Sequence, residues 1–166
     1  MIFGKNSKKL HCSASVWLSV AVAVIVMAVV PLPGKAHASG HEVVGYYPAW
    51  IIDELPASDT RFDVFTRIVY AFAWPDSDAS ISSYNPPAYR DLIDAAHCAG
   101  RTVSISLGGG GQTAGFPHVT ADPVLRAAFV GNILDFCDRY GYDGADFDWE
   151  YPSNTAERDN YAALVR

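Results

Sequence analysis

Asp143-Gly144-Ala145-Asp146-Phe147-Asp148-Trp149-Glu150-Tyr151-Pro152 is the stretch on which fold and chemistry both turn. Acids stand at 146, 148 and 150, with Phe147 and Trp149 between them. Large aromatic residues favour strands, and strand side chains alternate between faces. The spacing therefore predicts a strand over 143–150. Asp146, Asp148 and Glu150 share one face; Ala145, Phe147 and Trp149 share the other. Carboxylates crowded on a strand of this kind are unfavourable unless they do chemistry or bind a cation. Asp146 lies about 13 Å below Glu150, at roughly 3.3 Å per residue. Glu150 takes the C-terminal end, where parallel sheets and barrels carry their sites.

Other uses of the acids fit less well. A helix N-cap cluster explains one acid near a strand end, not three on one face. A calcium loop fails for lack of Gly at its sixth position and for ligand spacing. A transition-metal site lacks a nearby His.

Upstream, residues 42–47 (Glu-Val-Val-Gly-Tyr-Tyr) read as a first strand stopped by Pro48. A turn-rich stretch, with one short helical turn near Asp59–Phe65, leads to a second strand over 67–73. A polar loop from Pro75 to Ser82 precedes a helix opened by Pro86 and Pro87. Its core face is Tyr89, Leu92, Ile93 and Ala96, and Gly100 ends it. Residues 102–107 form a third strand that runs into Gly108 to Gly111. Asp122 and Pro123 cap a long helix with Leu125, Phe129, Ile133, Phe136 and Tyr140 inward, and Gly141 stops it. A further helix starts at Ser153 to Thr155. Short apolar strands alternating with helices call for an α/β fold with a helix-covered parallel sheet. A doubly wound sheet and a closed barrel both satisfy that pattern. The chain stops at Arg166 inside an amphipathic helix, and an eight-stranded barrel needs about 250 residues. It is therefore expected to be the N-terminal half of something longer.

The glycine run is followed by Gln112 and Thr113 rather than Lys-Ser/Thr, so it is no phosphate loop. It reads as a strand exit that allows close backbone approach. His41, His97 and His118 have no partner pattern and read as ordinary surface or helix residues. Cys98 and Cys137 fall on predicted helix faces and read as two buried thiols rather than a bridge. Aromatics gather at the strand ends (Tyr46, Tyr47, Trp50, Phe72, Trp74, Trp149, Tyr151), as core or as a floor for sugar rings.

Of 166 residues, 50% are hydrophobic, enough for one domain with a core. All four lysines lie in the first 35 residues; beyond residue 38, eight arginines face eighteen acids, a net of −10. Such a body excludes nucleic acid as a partner and suits a neutral polar substrate. Lys5, Lys8 and Lys9, the apolar run Ala14 to Val30 and Ala36-His-Ala38 read as an export signal cleaved after Ala38. The run is shorter than the ~20 residues of a spanning helix. Residues 1–38 are thus expected to be a signal peptide, and the mature protein secreted, without stable membrane association.

Taken together, these residues resemble glycoside hydrolase family 18, the chitinases. Asp143, Asp146, Asp148 and Glu150 match its catalytic strand, Asp-x-x-Asp-x-Asp-x-Glu, and Tyr151-Pro152 follow as is common there. Ser106-Leu107-Gly108-Gly109 match its Ser-x-Gly-Gly element. Gly45-Tyr46-Tyr47 resembles its first strand and Tyr70-Ala-Phe72-Ala its second. The resemblance implies a partial (β/α)8 TIM barrel in residues 39–166, holding the first four β/α repeats. It implies hydrolysis of β-1,4 N-acetylglucosamine linkages, with chitin or its oligosaccharides as partner and neither metal nor cofactor. Glu150 would be the general acid. No second carboxylate attacks, because in this family the substrate's own acetamido oxygen does. Asp148 would orient the acetamido group, and Asp146 would share charge or a proton with Asp148. Tyr46 and Ser106 would hydrogen-bond to the acid pair, and Phe72, Gly108, Gly109 and Tyr151 would complete the sugar-binding set. Acids this close should raise at least one pKa, and a general acid needs its proton near neutral pH. The family's further sugar-binding Tyr and Trp come from its sixth and eighth strands, so this chain alone is expected not to hydrolyse chitin. Two alternatives stand beside chitinase: an endo-β-N-acetylglucosaminidase of the same family, and a non-catalytic, lectin-like chitin-binding barrel.

Overall fold

The computed structural model describes residues 41–166; the segment read as an export signal lies outside them. Four parallel strands form the frame: β1 (Val44–Pro48), β2 (Arg67–Pro75), β4 (Thr102–Gly108) and β5 (Gly144–Asp148). They lie side by side in sequence order, β1-β2-β4-β5. A doubly wound sheet reverses its strand order at a switch point. Consecutive order, with the helices packed on one face, is instead the wall of a barrel.

The two faces follow from the alternation. Ile68 and Tyr70 of β2, with Val103, Ile105 and Leu107 of β4, join one buried core. Leu92, Ile93 and Ala96 of α1 (Arg90–Cys98) and Phe129, Ile133 and Cys137 of α3 (Pro123–Tyr140) complete it. Ser106 and Asp146 are register partners on the opposite, concave face, as are Gly108 and Asp148 one layer up. Burial of the helix-facing residues is the main stabilising term, so the concave residues are placed by their neighbours' packing.

α3 begins and ends as its sequence dictates. The Asp122 carboxylate accepts from Val124 N at 2.7 Å and Leu125 N at 3.3 Å, Pro123 takes the first turn, and Gly141 closes the helix at φ 83°. In α4 (Thr155–Leu164), the Asn154 side chain accepts from Glu157 N while Glu157 Oε2 accepts from Ser153 N at 2.6 Å, a reciprocal cap.

The structure departs from the sequence reading in several places. The expected loop after β2 is a hairpin in which β3 (Ile81–Ser83) pairs antiparallel with Ala73–Pro75. Asp76 Oδ2 accepts from the hydroxyls of Ser80 and Ser82, and Asp78 accepts from Ser80 N and Oγ. Three residues rich in serine carry no alternation to read. The first helix starts at Arg90 rather than at the prolines, because the carbonyls of Pro86 and Pro87 accept from the Tyr70 and Tyr142 hydroxyls. A short helix, α2 (Phe116–Ala121), follows the glycine run unannounced. Cys98 is exposed rather than buried, whereas Cys137 is buried without a disulfide. Among the described residues no helix is long and apolar enough to cross a membrane.

Candidate active site

The paired strands β4 and β5 bring the acids together with their donors. Tyr46 Oη donates to Asp146 Oδ2 at 2.9 Å, and Ser106 Oγ donates to the same oxygen at 2.7 Å. Both hydroxyls serve Asp146, not Asp148. Burial first, then the neighbouring Asp146 charge, push the Asp148 carboxyl above its ordinary value of 3.8. Asp148 is thereby driven toward holding a proton. The Tyr46 hydroxyl is raised to about 12, by burial, then by its bond to Asp146 and the charges of Asp146 and Asp148. The residue is 56% exposed, but its hydroxyl end turns into the acids.

A raised carboxyl pKa has a stability signature. The protonated form is favoured in the fold, so this contribution is full below the ordinary Asp value and is lost as pH rises through the raised one. Asp148→Asn, neutral throughout, should remove that loss. Urea midpoints of the variant are expected to hold level from the carboxylate range to neutral pH where the native protein declines. An equal decline in both would show that another group is responsible.

Glu150 lies just beyond the end of β5 rather than inside it. The alternation nevertheless continues. Trp149 packs into the core, stacked on Phe116 with centroids 5.2 Å apart and planes 12° apart, and edge-on to Tyr161 at 5.7 Å. Glu150 turns the other way, over the glycine run: a Cβ on Gly110 would sit 3.8 Å from Glu150 Oε2. Among the described residues no hydrogen bond or ion pair engages its carboxylate. The main chain, by contrast, is held: Thr113 Oγ1 donates to Glu150 O at 3.3 Å and Gly109 N to Asp148 O at 2.9 Å.

The glycines are required at Gly108 and Gly109. Gly108 has φ 116°, and a Cβ there would meet Asp148 O at 2.3 Å. Gly109 has φ 85° and lies under the Phe72 ring, 2.9 Å from where its Cβ would be. Phe72 reaches that position because the β2–β4 register shifts between Ala71 and Ala73, which leaves it as the extra residue. Phe72 also tilts against Trp50 at 6.3 Å, and Trp50 meets Tyr84 edge-on at 5.7 Å. Tyr84 follows the hairpin that sequence reading missed, so it was not singled out; nor was Thr113. Tyr151 is 77% exposed at the strand exit and makes no hydrogen bond among the described residues.

Asp143, the first acid of the motif, does not join the others. It precedes β5, where its N–H donates to Val103 O and its Oδ2 accepts from Val103 N, both at 2.7 Å. The same oxygen lies 2.8 Å from His97 Nε2. This acid fixes the entry of β5 against β4. His97, read from the sequence as lacking a partner, has one; its partner is 46 residues away and invisible to local spacing.

The family model for glycosyl hydrolases family 18 matches residues 42–166. A chitinase-like effector of Moniliophthora roreri is 30% identical over 82% of this chain and 36% of its own length. A GH18 chitinase of Cycas revoluta, solved in complex with (GlcNAc)3, is 29% identical with a TM-score of 0.64, over 74% of this chain and 38% of that one. A chitinase-like agglutinin of Robinia pseudoacacia is 26% identical with a TM-score of 0.66, again over 74% and 38%. The chain thus spans less than two-fifths of the length of each of these three relatives. Residues 42–166, with the parallel wall, the acids of β5 and the glycine exit of β4, belong to glycosyl hydrolase family 18 and form part of its TIM barrel.

Proposed function

We propose that this chain supplies the acid-bearing wall of a retaining glycosidase that cleaves β-1,4-linked N-acetylglucosamine in chitin. One arrangement supports the reading most: Asp146 held by two hydroxyls, Asp148 beside it with a raised pKa, and an uncommitted Glu150 carboxylate at the mouth. Glu150 delivers its proton to the bridging glycosidic oxygen. The acetamido oxygen of the substrate attacks the anomeric carbon, and the aglycon leaves. Asp148, sharing a proton with Asp146, hydrogen-bonds to the acetamido N–H and stabilises the positive oxazolinium. Glu150 then takes a proton from water, which opens that ring. Two inversions retain the β configuration. Phe72, Trp50 and Tyr84 offer apolar ring faces to the C–H side of the sugars.

The relatives are longer, and the wall is open, with Tyr46 and Trp50 more than half exposed. The reading is therefore of the protein carrying this wall, not of the wall acting alone. The lysine-flanked apolar run and Ala36-His-Ala38 support export of that protein. A lectin-like role is the second reading, favoured by the Robinia agglutinin. Proton NMR of the first products from a chitin oligosaccharide separates the possibilities. Initial accumulation of the β-anomer is expected. The α-anomer first would overturn the retaining mechanism, and binding without turnover would favour the lectin.

A further inference from the structure

We propose that Thr113 is a positioning residue for proton transfer: by holding the main chain of Glu150, it sets the reach of the acid toward the bridging oxygen. The proposal rests on the chitin reading above, in which Glu150 is the general acid.

The need for such a residue follows from where the sheet ends. The β4–β5 register closes at Gly108 and Asp148, so the ladder does not extend to Trp149 or Glu150. No hydrogen bond among the described residues holds the Glu150 carboxylate. Its place is therefore set by its own backbone, and the loop leaving β4 grips that backbone. Gly109 N donates to Asp148 O at 2.9 Å. Phe116 stacks on Trp149 with centroids 5.2 Å apart. Thr113 Oγ1 donates to Glu150 O at 3.3 Å. These contacts fall on successive residues, and the last of them acts on the acid itself.

Thr113 is in turn held firmly. Gln112 N donates to Gly109 O at 3.0 Å in the turn before it, and Phe116 N to Thr113 O at 3.1 Å in the turn after it. Gly115 lies against the hairpin so closely that a Cβ would fall 1.9 Å from Pro75 O, and Phe116 is fully buried. The loop cannot shift without disturbing the core, so it presents the hydroxyl from a fixed place. At 3.3 Å the bond is longer than the usual O–H···O distance of about 2.7–2.8 Å and adds little stability. Its value is geometric. A general acid must stand within hydrogen-bond reach of the atom it protonates, and a misplacement of about 1 Å can cost about 10²-fold in rate. The Trp149 stack survives loss of the hydroxyl, so the expected loss is smaller, about two- to tenfold.

The test is steady-state kinetics of the protein carrying this chain, on a chitin oligosaccharide and on an aryl glycoside whose acidic phenol leaves without a proton. Thr113→Val keeps the branched shape and loses the donor; Thr113→Ser keeps the donor. Thr113→Val is expected to lower kcat on the oligosaccharide about two- to tenfold with KM unchanged, and to leave the aryl glycoside unaffected. Thr113→Ser should retain the native kcat on both. Added to Glu150→Gln, Thr113→Val should cost nothing further, because no acid is left to place. Thr113→Ala, which also lacks the donor, serves if Thr113→Val fails to fold. Equal losses on both substrates, or the same loss in Thr113→Ser, would overturn the positioning role in favour of a structural one. A native kcat in Thr113→Val beside an impaired Glu150→Gln would overturn the role of Thr113 and leave the acid assignment standing. A native rate from Glu150→Gln would overturn the reading beneath it.

Discussion

Glu150→Gln is expected to lower the rate on chitin oligosaccharides by about 10²- to 10⁴-fold, the usual contribution of a positioned general acid. The reason is local. A neutral amide keeps the size of the side chain but has no acidic proton to give the bridging oxygen. Its carboxylate holds no structural contact among the described residues, so urea stability should be unchanged. Substrate affinity should be nearly unchanged as well, because Tyr46, Ser106 and Asp146 keep their hydrogen bonds. The loss should shrink on an aryl glycoside, whose acidic phenol leaves without needing a proton. The measurement is steady-state kinetics of the protein carrying this chain, native against variant, on both substrates. A native rate from the variant on chitin oligosaccharides would remove Glu150 from the mechanism.

Gly108→Ala should be the most destabilising single change in the glycine run, on the order of 2–6 kcal/mol. Two effects add. The φ of 116° lies where an L side chain is strained, about 1–3 kcal/mol. The new methyl would also fall 2.3 Å from Asp148 O and 2.8 Å from Asp148 C. Those are backbone atoms of a paired strand and cannot swing aside, so overpacking adds about 1–3 kcal/mol. A domain stable by about 5–15 kcal/mol would lose a large part of that margin. The neighbours provide the contrast. Gly111 has φ 84° with nothing within 4 Å of an added Cβ, so Gly111→Ala should lose only the conformational part. Gly110→Ala meets only ordinary contact at 3.8 Å and should be close to neutral. Urea unfolding of the three variants gives the order directly. Equal losses at 108 and 111 would mean that contact with Asp148 is not the cause.

The elements read from sequence are those whose signal is local. α3 carried Asp-Pro at its start, Gly at its end and apolar residues at helical spacing, and each marker sits where the helix begins, ends or packs. The alternation over 144–148 was equally plain. The hairpin strand Ile81–Ser83 was missed because its partner is β2 rather than its own pattern. α2 was missed because Phe116 is held by Trp149, 33 positions away, and not by any helical repeat of its own. The site shows the same division. The alternation pointed to Asp146, Asp148 and Glu150 as a set, and the family resemblance to Tyr46 and Ser106 as their partners. Neither said that both hydroxyls choose Asp146, that Asp143 turns away to Val103 and His97, or that Thr113 anchors the Glu150 carbonyl.

The linear order of residues was enough to assign the acids to one strand face, the limits of α3, the acidic body and the family resemblance. All of these depend on neighbours within a few positions or on composition. The consecutive strand order, the helices confined to one side and the sharing of one Asp146 oxygen by Tyr46 and Ser106 required the folded chain. The partners lie 100 and 40 residues from Asp146. Only the packing of β1, β4 and β5 brings those atoms within 3 Å, and no local spacing carries that information.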